Sequence, residues 1–277
     1  MNRFMFAHWL AKASLPLSGV QQLRCADLSI GYQAQAPVQA GITATFQAGK
    51  LYALLGENGS GKSCLLKSMA GLLPVLYGSL SITTDSSERF YLAAPGQRDL
   101  NIEKRAAWQG YLEQQPLVHW GISVRQVVEL AAFARRDWSP QQAAAAVEEA
   151  LVACDCMALA ERSVLQISAG ERQRVMIARV LAAQPALILV DEPTAGLDPR
   201  HQHAVMQLLR AQAERGVMVI SVMHDIALTR TYCDQAMLLE KPQAGGAAAS
   251  MAEPAQLGTV EDILTPQRVR RVFGIDG

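Results

Sequence analysis

The chain has 277 residues, of which 50% are hydrophobic and 18% are charged, and its formal net charge is zero. This balance is ordinary for a globular protein and gives no electrostatic support to nucleic acid as the main partner. No stretch approaches the roughly 18 uninterrupted apolar residues that a membrane-spanning helix needs. The five cysteines are odd in number and lack paired spacing, which argues against a disulfide scaffold and fits a reducing compartment.

The first half of the chain is rich in predicted strands. Residues 1–20 are expected to be an N-terminal extension, with a signal peptide as the alternative, and residues 21–277 to form one domain. Short strands separated by turns are predicted over residues 22–55. Residues 78–113 again favour strands and loops, because glycine and proline break any helical pattern there.

The second half alternates between helices and apolar strands. Residues 123–160 carry apolar side chains at helical spacing, so we predict an inserted helical subdomain over about residues 118–165. Beyond it, the apolar strands ALILVDE and VMVISVM alternate with helices, which predicts a mostly parallel sheet covered on both faces. Residues 241–256 are small and nearly featureless, which predicts a flexible exposed loop between two strands.

The segment from Gly56 to Ser63 has the form G-x-x-x-x-G-K-S, which is the pattern of a phosphate-binding loop. The apolar run 51–55 precedes it, and a predicted helix follows it and ends near Gly71. Glycines let backbone N–H groups close around phosphate oxygens, while Lys62 reaches the outer phosphates and the Ser63 hydroxyl binds Mg²⁺. The alternative is a glycine-rich turn without a ligand, which the Lys-Ser pair at the required position disfavours.

Polar residues follow both apolar strands of the second half. Asp191 and Glu192 end the strand ALILVDE, where the first can hold Mg²⁺ and the second can orient or deprotonate an attacking water. His224 follows the strand VMVISVM and can reach the same edge of the sheet to contact a γ-phosphate. The alternatives are an exposed acidic strand end and a purely structural histidine.

Together these motifs resemble those of the nucleotide-binding subunit of ATP-binding cassette (ABC) transporters. GENGSGKS resembles the family's phosphate loop, LILVDE its Walker B strand, ISAGE at 167–171 its signature, and TAGLD and SVMHD the two loops that follow. LSIGY and GYLEQQP resemble the family's adenine-binding and glutamine loops. The resemblance runs in family order from about Leu23 to Ile275. It implies an α/β fold of the P-loop NTPase (RecA-like) type, with a mostly parallel sheet, an N-terminal antiparallel β subdomain and an inserted helical subdomain.

The resemblance also implies a role for each matching residue in an ATPase that uses ATP and Mg²⁺. It places adenine on Tyr32. It assigns nucleotide contacts to the loop residues Gly56, Asn58, Gly59, Ser60, Gly61, Lys62, Ser63 and Cys64. It implies that Asp191, Ser63 and Gln114 hold or sense Mg²⁺, that Glu192 is the general base, and that Lys62, Gln114 and His224 assist catalysis. Ser168 and Gly170 are implied to cover ATP on a second copy of the chain, with Asp198 in the seam between the copies.

Within the family, the chain resembles subunits of importers for iron-siderophore, haem or vitamin B12. The segments GISVRQVVELA and GTVEDILTPQRVRRVFGID carry this resemblance. It implies a peripheral subunit at the cytoplasmic face of the bacterial inner membrane, with integral membrane permease subunits as partners and, indirectly, a periplasmic substrate-binding protein. Residues 115–125 are expected to help form the groove for a permease helix, in which Trp120 is either exposed or simply packed in the core.

A soluble ABC-type ATPase that acts on nucleic acid or ribosomes is the competing function. Such proteins usually carry tandem cassettes, long coiled coils or strongly basic regions, and this sequence has none of these. We therefore expect no nucleic acid partner.

Several residues depart from the family's pattern. Ala169 replaces a glycine, and Glu171 replaces a glutamine, so that its charge either lies near the triphosphate or faces away on the first turn of its helix. Cys64 stands where threonine is usual; the helix N-terminus should lower its thiol pKa, unless the thiol is buried and inert. The run from Cys154 to Cys156 is interpreted as small buried residues, with a metal site as the alternative.

Overall fold

The computed structural model describes residues 19–33, 35–93, 105, 107–114, 121–133, 135–241 and 255–274. The expected N-terminal extension and the expected loop at 241–256 lie almost entirely outside the described residues, as does Trp120. Their predictions therefore stay predictions. Among the helices of the described residues, none is long and apolar enough to cross a membrane.

Ten strands in the described part of the chain form two sheets. The first sheet is antiparallel, with the order β2-β1-β4-β5. Its strands are β1 (Gln22–Ile30), β2 (Gln39–Gln47), β4 (Val75–Thr83) and β5 (Arg89–Ala93). This confirms the predicted antiparallel β region in the first half of the chain.

The second sheet is mostly parallel and has the order β10-β9-β3-β8-β7-β6. Its strands are β3 (Leu51–Leu55), β6 (Gln109–Leu112), β7 (Leu187–Asp191), β8 (Met218–Val222), β9 (Gln235–Leu238) and β10 (Leu257–Thr259). All neighbours pair in parallel except β10, which is antiparallel to β9. Strands β3, β7 and β8 are buried along their whole length, as their continuous apolar runs predict for a sheet covered on both faces.

Eight α-helices are present in the described residues. They are α1 (Lys62–Met69), α2 (Val124–Ala132), α3 (Pro140–Ala153), α4 (Ala169–Ala182), α5 (Pro199–Glu214), α6 (Ile226–Tyr232), α7 (Val260–Ile263) and α8 (Pro266–Phe273). Serine caps define where α2 and α3 begin: Ser123 and Ser139 each accept a hydrogen bond from a backbone N–H of the first turn, within a reciprocal capping box. Local sequence therefore fixes the starts of both helices.

Side chains of the central sheet alternate between two hydrophobic clusters. Leu51, Ala53 and Leu55 of β3 join one cluster, which includes α2–α6. Tyr52 and Leu54 join the other cluster, which includes α1 and the antiparallel sheet. Because successive side chains of a strand point to opposite faces, the sheet is covered on both sides, as predicted.

Helices α2, α3 and α4 pack against one another, and α2 and α3 lie between β6 and β7 in the sequence. Arg135 connects this helical group to the end of α4: its Nη1 donates to the Ala183 carbonyl at 3.1 Å. The same guanidinium is held by both carboxylate oxygens of Asp137 and lies 4.1 Å from the ring centre of Trp138. The nearly buried guanidinium is thus bound by a carbonyl, a carboxylate and an aromatic ring, and these contacts fix the segment between α2 and α3.

Cys154 and Cys156 are both buried. Burial raises the pKa of the Cys156 thiol to about 12 and that of the Cys154 thiol well above its usual value. The Cys156 thiol donates to the Cys154 carbonyl at 3.3 Å. These are the surroundings of small core residues, and among the described residues no group of three or more His, Cys, Asp or Glu side chains is arranged to hold a metal ion.

Cys64 corrects one expectation. Its position near the start of α1 predicted a lowered thiol pKa, but the side chain is buried at 5% exposure in the cluster between α1 and the antiparallel sheet. Burial raises the pKa of the thiol, and the charge of Lys67 only partly opposes this rise. The thiol lies in the core cluster, where desolvation disfavours the thiolate. Of the two alternatives, the structure shows the buried one, and it predicts a thiol of low reactivity.

We expect Cys64 to react slowly with alkylating reagents in the folded protein, because both burial and a raised pKa lower the concentration of accessible thiolate. Iodoacetamide labelling at neutral pH, followed by peptide mass spectrometry, should proceed roughly tenfold or more slowly than in the urea-unfolded chain. The unfolded chain is the matched control for intrinsic reactivity. Equal rates in the folded and unfolded protein would contradict this assignment.

Candidate active site

The predicted phosphate loop connects β3 to α1. Gly61 caps α1 with a left-handed backbone, at φ 94°. Gly56 also has a positive φ, at 145°, and a Cβ there would lie 2.2 Å from the carbonyl oxygen of Leu239. No side chain fits in that space, so glycine is required for the loop to lie against the segment that follows β9.

Lys62 is the first residue of α1 and lies within the loop. Its ammonium donates to the carbonyls of Gly56 and Glu57, both at 2.8 Å. The residue is only 5% exposed, and burial lowers the pKa of the ammonium, while the nearby carboxylates Glu192 and Asp191 oppose that shift. The loop therefore carries a buried cation whose hydrogen bonds hold it against the loop's own backbone.

Ser63 and Asp191 meet where α1 begins and β7 ends. The Ser63 hydroxyl donates to Asp191 Oδ1 at 3.1 Å. Asp191 is 3% exposed; burial raises the pKa of its carboxyl, and the hydrogen bond from Ser63 opposes that rise. A hydroxyl and a desolvated carboxylate are hard oxygen donors, so this pair fits the chemistry of Mg²⁺.

Glu192 lies between two polar side chains from neighbouring strand ends. Gln114, just beyond β6, donates through Nε2 to Glu192 Oε2 at 2.6 Å. His224, just beyond β8, places Nε2 2.5 Å from Glu192 Oε1. The backbone of Glu192 is left-handed at φ 50°, which costs a non-glycine residue about 1 kcal/mol or more. The structure thus brings Glu192 and His224 together at one sheet edge, as their positions after apolar strands predicted, and adds Gln114, which only the family resemblance had singled out.

Ser168 and Gly170 lie at the start of α4. Ser168 caps the helix: its hydroxyl accepts from the Glu171 N–H at 3.3 Å, and its own N–H donates to the Glu171 carboxylate at 2.8 Å. The N–H of Ser168 and then its side chain lower the pKa of the Glu171 carboxyl. Glu171 is therefore bound to the first turn of its own helix. In the described part of the chain, the structure does not bring Ser168 or Gly170 together with the phosphate loop.

Two further predicted residues lie on the surface. Asp198 caps α5 and places Oδ2 2.6 Å from His201 Nδ1, a contact that lowers the pKa of its carboxyl. Tyr32 follows β1 and is 71% exposed. Both side chains are available to a nucleotide or to another protein surface.

Sequence patterns missed Gln39, the first residue of β2. Its Nε2 donates to the carbonyl of Ser60 in the loop at 2.9 Å and to the carbonyl of Glu240 at 2.6 Å. Tyr111 on β6 was also missed; its hydroxyl is buried without a hydrogen-bond partner among the described residues, and burial and Asp191 raise its pKa. No local motif signals either residue.

Comparison with known proteins identifies the family. Residues 40–195 match the family model "ABC transporter". The chain is 34% identical over 262 residues to a hemin import ATP-binding protein of Bordetella avium, covering 92% of each chain. A solved ATP-binding subunit of an ABC transporter superposes with a TM-score of 0.71 at 27% identity, covering 93% of this chain and 95% of that one.

A second solved structure is a dimeric ATP-binding cassette in a post-hydrolysis state with ADP and Pi. It superposes with a TM-score of 0.68 at 25% identity, covering 80% of this chain and 97% of that one. Three observations agree with one another. Ser63 connects the phosphate loop to the Walker B aspartate, the family model matches more than half of the chain, and one relative aligns with nearly all of it. The chain belongs to the ABC transporter family of ATP-binding proteins, whose members are ATPases coupled to transport.

Proposed function

We propose that this chain is the ATP-binding and ATP-hydrolysing subunit that energises a membrane importer for haem or a related metal chelate, such as an iron-siderophore. The observation that best supports ATP hydrolysis is the position of Glu192, which is held between Gln114 and His224 near Lys62 of the phosphate loop. The substrate class rests on relatives named as hemin import ATP-binding proteins. No specific observation favours the competing function on nucleic acid or ribosomes.

In this proposal, the loop binds the phosphates of ATP through its backbone N–H groups and Lys62. Gly59 and Gly61 have positive φ values of 82° and 94°, which lets the loop curl without side chains in the way of phosphate oxygens. The remaining loop contacts come from Gly56, Asn58, Ser60, Ser63 and Cys64, the last through its backbone. The exposed ring of Tyr32 stacks on adenine.

Ser63 and Asp191 are the residues that would hold Mg²⁺, with Gln114 nearby. The ion, when bound, would neutralise charge on the phosphate oxygens. Asp191 keeps its carboxylate in place through the hydroxyl of Ser63. Glu192 is the general base, and its two hydrogen-bonded neighbours fix the direction in which its carboxylate points.

The proposed site is shared between two copies. Ser168 and Gly170 would cover the nucleotide of the opposite copy, with Asp198 in the seam, and a dimeric relative of the same fold supports this arrangement. Permease subunits and, indirectly, a periplasmic substrate-binding protein complete the proposed importer at the cytoplasmic face of the bacterial inner membrane. Residues 21–277 would form the ATPase domain, with the helical subdomain at about 118–165 inserted between β6 and β7.

Glu192→Gln should keep ATP binding but lower the rate of hydrolysis by about 10²-fold or more, because an amide cannot accept the proton of the attacking water. Steady-state ATPase rates and equilibrium binding of a fluorescent ATP analogue measure the two effects separately. The variant should also accumulate as an ATP-bound dimer in size-exclusion chromatography. Near-normal hydrolysis would remove Glu192 from the role of base.

A pair of mixed dimers tests the shared site. In the first, one copy carries both Lys62→Ala and Ser168→Ala and the other copy is unchanged; in the second, each copy carries one of the two substitutions. If Ser168 serves the opposite copy, the first dimer has two damaged sites and the second keeps one intact site. We therefore expect more ATPase activity from the second dimer.

Both mixed dimers contain the same two substitutions, so any loss of helix stability from removing the Ser168 cap is matched between them. The reverse ranking would show that Ser168 serves its own copy. Equal activities would show that Ser168 does not take part in the site.

A further inference from the structure

We infer that Gln39 is a positioning residue for ATP, which holds the phosphate loop in place relative to the adenine-binding segment. The three groups involved are the Gln39 side chain and the carbonyls of Ser60 and Glu240, here called the Gln39 clasp. The inference rests on the proposed function of the loop. It adds a residue outside every motif that led to that function.

The chemistry of the clasp fixes how the amide is oriented. Gln39 is 7% exposed, and one of its terminal atoms lies 2.9 Å from the Ser60 carbonyl and 2.6 Å from the Glu240 carbonyl. Only the NH₂ end of an amide can face two carbonyl oxygens, because the oxygen end has no proton to donate. The clasp therefore consists of two donated hydrogen bonds from one buried group.

The first bond sets the direction of a loop peptide. A trans peptide is planar, so its carbonyl and the following N–H point in opposite directions. Holding the Ser60 carbonyl against Gln39 turns the N–H of Gly61 away from Gln39. A Cβ on Gly61 would lie 3.0 Å from Val38 Cγ1 and 3.1 Å from Gln39 Cγ, so both side chains also pack against this point of the loop.

The second bond anchors the clasp to the central sheet. Glu240 follows β9, and the N–H of Leu239 donates to the Leu55 carbonyl at the base of the loop, at 2.8 Å. Strand β9 is the parallel neighbour of β3. Gln39 thus connects the loop to the strand beside the one that supports it, which limits movement of the loop relative to the sheet.

Gln39 also belongs to the hairpin that carries Tyr32. The N–H of Val38 donates to the Ile30 carbonyl at 2.8 Å, which closes the connection between β1 and β2. Tyr32 lies within that connection, so the clasp sets the separation between the proposed adenine platform and the phosphate loop. Loosening it should weaken ATP binding more than it slows hydrolysis, because Glu192, Gln114 and His224 lie on other strand ends.

The test compares Gln39→Met with Gln47→Met. Methionine keeps the length of glutamine, removes the donors and leaves the charge unchanged. Gln47 is the exposed last residue of the same strand. For Gln39→Met we expect KM and the dissociation constant for ATP to rise about tenfold, with kcat at saturating ATP within about twofold of the parent. Gln47→Met should match the parent in all three.

A second variant guards against misfolding of the first. Gln39→Glu has the shape of glutamine but places an oxygen against both carbonyls, and its expected effect is the same rise in KM, with Gln47→Glu as the charge control. Thermal melting without nucleotide shows which variants fold. Unchanged KM in the folded variants, or a fall in kcat alone, would overturn the inference. Failure of the parent itself to bind ATP would instead overturn the proposed function.

Discussion

The whole arrangement depends on burying two opposite charges at one edge of the central sheet. Lys62 and Asp191 are 5% and 3% exposed, and each would be costly to desolvate alone. Local hydrogen bonds offset that cost: loop carbonyls accept from the ammonium, and the Ser63 hydroxyl donates to the carboxylate. Burial excludes water from both side chains, so these charges interact with their surroundings more strongly than they would in water.

Glu192 is held differently from its sequence neighbour Asp191. Its side chain is 18% exposed, in contrast to the buried Asp191 next to it. Its left-handed backbone turns it away from the strand direction, toward the two residues that follow β6 and β8. Strand β7 lies between β6 and β8 in the sheet. A shift at the end of β6 or of β8 would therefore move Gln114 or His224, the two partners of the Glu192 carboxylate. Glu192, the proposed general base, is thus sensitive to movement at the ends of both neighbouring strands.

Much of the fold and the site could be predicted because their signals are local. The spacing of the loop residues and the apolar strands before Asp191 and His224 predict that all of these lie at one edge of the sheet. The binding of Glu171 to the first turn of its own helix could also have been predicted, because a serine followed three residues later by a glutamate is the pattern of a capping box. The burial of Cys64 could not be predicted in this way. Its position in the sequence shows that it lies near a helix N-terminus but does not reveal the core cluster that it faces.

Gln39 shows a different limit of sequence patterns. Ile42, Ala44 and Phe46 are buried in β2, so strict alternation predicts that odd-numbered residues face solvent. Gln39 is buried nonetheless, because at the first residue of the strand the loop and the segment after β9 cover the side chain. Its partners are carbonyls that lie 21 and 201 residues away in sequence. A backbone carbonyl has no sequence signature, so only the folded arrangement reveals the contact.

In the proposed shared site, the cap of α4 determines what this helix would offer to a nucleotide on another copy. The Ser168 hydroxyl accepts from the Glu171 N–H, and the Ser168 side chain also contacts the Glu171 carboxylate. The first N–H groups of a helix have no acceptor within the helix itself. The Glu171 carboxylate, held on the Ser168 N–H, offsets part of the positive potential of the helix N-terminus. Contact with a phosphate there would therefore depend on directed hydrogen bonds from the N–H groups of the first turn more than on charge. Directed bonds require close, specific approach, so this surface favours a partner that is already correctly oriented.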